Sequence, residues 1–121
     1  MNVIFFKVEG VLNFEGSDAK APDGEMGIAE ARVKELRGIA DRQGARIVLT
    51  GDWRKDWDFD DSKCTKNGIY LNKKLERKGL HILDKTKETE NDIDDWLKRH
   101  KNVEKYCVLD NIEEVKWLNN V

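Results

Sequence analysis

Three places in this 121-residue chain put chemically capable side chains directly after an apolar run. "VIFFKVEG" ends in Lys7, Glu9 and Gly10, "RIVLTGDWR" in Thr50, Gly51, Asp52 and Arg54, and "YCVLDN" in Asp110 and Asn111. A carboxyl such as Glu9 can trade protons, and an ammonium such as Lys7 can pair with an anion or stand in for a cation. Nucleophiles are scarce. Thr50 has no histidine base nearby in sequence, and neither Cys64 nor Cys107 follows a run as these residues do. His81 falls inside an apolar run and His100 at a helix end, where packing or complementing the helix dipole is the simpler role. "DWDFDD" places Asp56, Asp58 and Asp60 like the start of a calcium loop, but Asp61 stands where glycine is needed and Asn67 where the closing carboxylate belongs. It reads as a solvated acidic loop.

The elements that must position these residues follow from hydrophobic periodicity. Runs at 3–8, 46–50, 80–84 and 106–110 are continuous rather than alternating, which suits strands buried on both faces of a parallel sheet. Between them lie helical patterns. Ala29, Val33, Leu36 and Ala40 share a face that Gly44 ends, with Glu30 and Lys34 pairing across one turn. A weaker segment runs from Lys66 to Lys78, with Ile69, Leu71 and Leu75 inward and Gly79 as its stop. "TENDIDDWLKRH" opens with a capping box of Thr89 and Asp92, and "NIEEVKWLNNV" offers Ile112, Val115 and Leu118 as a final short helix. Such alternation predicts one α/β domain over 1–121, with right-handed crossovers and ligands at the carboxyl ends of the strands. The loop 13–25, which holds the only proline, Pro22, is too short for a separate cap domain. Trp53 and Trp57 are assigned to core packing beside the site.

Bulk composition sets outer limits. Charged residues make up 38% of the chain, yet the net charge is −2, so there is no strong nucleic-acid footprint, although a local phosphate site remains compatible. No run approaches a membrane span and the start is no signal peptide. Two cysteines without a C-x-x-C spacing read as reduced thiols in a cytoplasmic protein, Cys107 as a core residue.

Together the three strand ends, in order, resemble the motifs of haloacid dehalogenase-like (HAD) phosphohydrolases. "VIFFKVEGVLN", "GARIVLTGDWR" and "YCVLDN" are similar to those of the compact HAD domains of RNA-repair-type proteins, from Asn2 to about Trp117. The resemblance implies a three-layer Rossmann-like fold: a short parallel sheet of about four strands in order 3-2-1-4, helices on both faces and no large cap. It also implies a nucleophilic aspartate that binds magnesium, an aspartate acid/base two residues later, a hydroxyl for a phosphate oxygen, a lysine or arginine, and a final pair of metal-binding acids.

Position by position, Lys7 stands at the nucleophile and Glu9 at the acid/base, which is lengthened by one methylene of roughly 1.5 Å. A misplacement on that scale can cost about a hundredfold in rate. Thr50 matches the phosphate hydroxyl, with Gly10, Gly51, Asp52 and Arg54 as ligand-binding neighbours. Thr89 aligns with the third-motif cation, for which Lys85 or Lys87 could substitute. Asp110 matches the first metal acid and Asn111 replaces the second.

An ammonium cannot form the acyl-phosphate, so the substitutions imply a pseudo-phosphohydrolase serving as a binding or interaction module. Its partner would be a protein or a phosphorylated ligand. The alternative is an atypical phosphatase acting on phosphate monoesters or nucleic-acid ends. No cofactor is expected, or magnesium if the site still functions. A lysine at this position needs compensation, which Glu9 and Asp110 would supply. An uncovered last strand would offer an edge for a homodimer.

Overall fold

The computed structural model describes residues 1–121. Strand β1 (Asn2–Phe6) lies at the centre of the sheet, parallel to β2 (Ala45–Leu49) on one side and β4 (Lys105–Leu109) on the other. Strand β3 (Ile82–Lys85) continues the parallel sheet beyond β2. The order β3-β2-β1-β4 is the one implied by the resemblance, and a fifth strand, β5 (Leu118–Asn119), is added antiparallel to β4.

That fifth strand corrects the expectation of a terminal helix. Asn111 accepts hydrogen bonds from the amides of Glu113 and Glu114, which turns the chain back instead of starting a helix. Ile112 is buried, but Val115 and Leu118 are exposed, so the helical face counted on in sequence does not exist. Strand β5 covers β4 at Lys105 and Tyr106 only, so the edge expected of β4 is paired over two of its five residues and left without a strand over 107–109.

Helices cover both faces, and the two-residue pleat explains why the strand runs read as continuous. Ile4, Phe6, Ile47, Leu49, Cys107 and Leu109 face helices α1 (Glu30–Gln43) and α2 (Lys66–Glu76). Val3, Phe5 and Val48 face the other way, onto Trp96 and Leu97 of helix α3 (Asp92–Arg99). Helix α1 ends where Gly44 takes a left-handed φ of 57° and donates to the carbonyls of Ala40 and Asp41. In α2, Leu71 and Leu75 are buried as expected, whereas Ile69 is exposed.

Other local expectations give way to tertiary partners. Glu30 pairs with Arg77 (3.1 Å) and Lys74 (3.6 Å) of α2, not with Lys34, because the helix–helix contact brings two cations to it. The capping box does not form: Asn91 is the N-cap, Thr89 donates to Asp95, and Asp92 is taken by Arg54 and Thr86.

Trp96 is the largest fully buried side chain. It meets Phe5 edge-on at 5.4 Å, stacks on His100 at 3.7 Å and donates its indole N–H to Asp84 at 2.8 Å. Trp96→Ala is expected to cost about 3–5 kcal/mol, read as a lower urea midpoint with an unchanged slope.

Candidate functional site

The site forms because three parallel strands stop at one level. Phe6 is in register with Leu49 on one side and Leu109 on the other, so Lys7, Thr50 and Asp110 emerge together. Residues 7–10 leave the sheet through Gly10 (φ 78°), and Asn13, buried, accepts the Gly10 amide at 2.9 Å to fix that turn. The amide of Thr50 donates to the Phe6 carbonyl at 2.7 Å, and its hydroxyl donates to the same oxygen at 3.2 Å.

Lys7 does reach Asp110. Its Nζ lies 3.8 Å from Asp110 Oδ1, with the two side chains 37% and 82% exposed. Water therefore relieves most of the cost of the lysine, and the pair contributes at most about 1 kcal/mol. The anticipated contact with Glu9 is looser, since no Lys7–Glu9 pair falls within ion-pair distance. Glu9 instead sits against Gly51, whose φ of 82° and lack of a side chain let the two approach. A Cβ on Gly51 would lie 2.9 Å from Lys7 Cβ and 3.2 Å from Glu9 Oε2. Burial raises the Glu9 pKa above the usual glutamate value; its own main-chain N–H works against this, Asp52 adds to it, and Lys7 and Lys55 reduce it.

The second strand end is held by cations from within the fold. Arg54 Nε donates to the Gly51 carbonyl at 2.9 Å, while Nη1 reaches Thr86 Oγ1, the Lys87 carbonyl and Asp92 Oδ2 at 2.9–3.0 Å. Lys85 Nζ donates to the carbonyls of Arg54 (2.7 Å) and Trp57 (2.5 Å). Both charges thus tie the 51–57 turn to the end of β3 and the loop after it. Thr89 is exposed and bonded to Asp95. Trp53 and Trp57 are buried, the latter donating to Asn72.

The donors do not fit a divalent cation. Asp110 is one carboxylate, Lys7 stands opposite it, and the side-chain oxygen of Asn111 accepts from its own turn. No three His, Cys, Asp or Glu side chains converge as a hard cation needs. Anion donors do remain: the Lys7 ammonium, the Thr50 hydroxyl if it turns, and the main-chain N–H groups of Val8, Gly51 and Asp52, which find no acceptor within the chain. Cys107 offers no nucleophile, because burial pushes its thiol up to about 12.

Sequence reasoning missed several participants. Thr86 follows β3 as Thr50 follows β2, a signal that was there to use, whereas Lys85, named above as a substitute third-motif cation, is the last residue of β3. No local signal marks Asp23 and Glu25, because only the folded loop brings them beside Glu9 and Asp52. These four acids, with Asn13, Trp53, Lys55, Asp56 and others, line a groove of about 390 Å³ next to the site.

Glu9 makes a pH prediction. Its raised pKa means the folded chain holds this proton more tightly than the unfolded chain, so the associated stability is present below the ordinary glutamate value and is lost as pH rises through the raised one. Glu9→Gln should therefore gain stability relative to the parent between about pH 4 and pH 7, measured by urea unfolding across that range.

Comparison with known proteins agrees with this geometry. Searches of curated proteins and of solved structures gave no match. A family model described as the HAD domain in Swiss Army Knife RNA repair proteins matches residues 3–120, nearly the whole chain. With its sheet order and its three strand ends meeting in one place, the chain belongs to that HAD family.

Proposed function

We propose that this domain is a pseudo-phosphohydrolase, a HAD domain that recognises a phosphorylated ligand without hydrolysing it. The observation that carries this is Lys7 at the nucleophile position, paired with the acid that would otherwise hold metal. A protonated amine has no lone pair to attack phosphorus, and its charge opposes a cation at the same place. Lys7 and the unpaired amides of Val8, Gly51 and Asp52 are suited to an oxyanion instead. In this reading Lys7 is a built-in cation and magnesium has no role.

One observation favours the atypical phosphatase: Glu9, at the acid/base position, has a raised pKa as a proton donor needs. The family's description sets such domains in RNA repair proteins, so a nucleic-acid end is one class of phosphate to include in testing.

Two measurements separate the readings. The parent should release phosphate from a generic aryl phosphate only at background rates, with or without magnesium. Lys7→Asp, combined with Asn111→Asp, should gain magnesium-dependent activity of at least about tenfold. Turnover by the parent on the order of 1 per second or faster would overturn the proposal. Separately, titrating magnesium should leave the parent's melting temperature unchanged but raise that of the double variant, since a ligand specific to the native state stabilises it.

A further inference from the structure

Beyond Tyr106 the hairpin that joins β4 to β5 stops pairing with itself. Its ladder holds Lys105 against Asn119 and Tyr106 against Leu118. Continued, it would set Cys107, Val108 and Leu109 against Trp117, Lys116 and Val115, but none of these bridges forms. The chain bends over 110–113 and then runs without a bend or turn over 114–117. Along that stretch the main-chain N–H groups of Val115, Lys116 and Trp117 find no acceptor within the chain, and the carbonyls of 114–117 find no donor.

The stretch nevertheless alternates as a strand does. Val115 lines a groove of about 430 Å³ with Ile39 and Ile112, and Trp117 packs against the core on the same side of the sheet. Glu114 and Lys116, which alternate with them, take no part in that groove and stand exposed. Val115 is itself 38% exposed, and Leu118 is 40% exposed. Unpaired main-chain groups at the rim of a sheet, with open apolar side chains beside them, are a template for another strand.

The charges select which strand fits. Antiparallel pairing across a twofold axis sets residues equally far before and after the axis opposite each other, on one face. Centred on Glu114 or on Lys116, it would bring two like charges together. Centred on Val115, it sets Glu114 against the partner's Lys116 and Lys116 against the partner's Glu114, with the two copies of Val115 in contact. A lone lysine at an edge deters pairing, but the glutamate two residues before it turns the deterrent into a selective contact, because a copy in this register neutralises both.

We propose that residues 113–117 are a self-association edge, through which two copies of this chain pair antiparallel about Val115. This goes beyond phosphate recognition and does not depend on it. So short a ladder falls well below the roughly 800 Å² per partner of a standard interface, so the dimer is transient and forms only above about 10 μM.

Sedimentation equilibrium of the full chain up to about 1 mM tests this, and the parent should show a monomer–dimer equilibrium. Glu114→Lys and Lys116→Glu each turn both cross-strand charge pairs into repulsions, and each should weaken dimerisation at least about fivefold. An equal mixture of these two variants should associate as the parent does, since every pair across the axis is then again opposite in sign. Thermal melting verifies that each variant folds. A parent that stays monomeric at about 1 mM would overturn the proposal. So would single variants that dimerise as the parent does, or a mixture that associates no better than either variant alone.

Discussion

The structure depends on the placement of β1 between two parallel neighbours that end at the same level. Val3, Ile4, Phe5 and Phe6 are fully buried, two on each face, so the strand cannot slip by a residue without exchanging its whole core contact. Register with β2 and β4 then delivers Lys7, Thr50 and Asp110 to one point. The Lys7–Asp110 pair is a consequence of that register and not its cause, being too exposed to hold the strands together.

Around this point the chain uses its cations unevenly. Arg54 and Lys85 are committed to carbonyls and to Asp92, where they organise the turn carrying Gly51 and Asp52. Both are held by several acceptors at once, so neither is free to follow a ligand. Lys7 alone presents its ammonium at the junction of the strands, with a single loose partner. Lys85 and Arg54 are thus spent on structure, while Lys7, at the strand junction, and Glu9, with its raised pKa, are the charged groups on which the proposed function turns.

The placement of charge along the helices has a local origin. Acids stand in the first turns of α1 and α3, though not of α2, and cations in the last turns of all three, as the helix dipole favours.

Sequence by itself determined the strand runs, the order of elements, Gly44 as a helix stop and the set of strand ends that carry chemistry. These follow from local patterns: continuous apolar runs, helical periodicity and a glycine at a left-handed position. Tertiary structure alone decided the rest. Glu30 and Asp92 each had a plausible partner nearby in sequence, and each was claimed by a cation from a distant element. The tail had helical spacing but became a strand, because Asn111 turned it back along β4. Asp23 and Glu25 joined the site only through the folding of their loop. Spacing along a chain specifies which face a residue occupies, but not which distant group will compete for its charge.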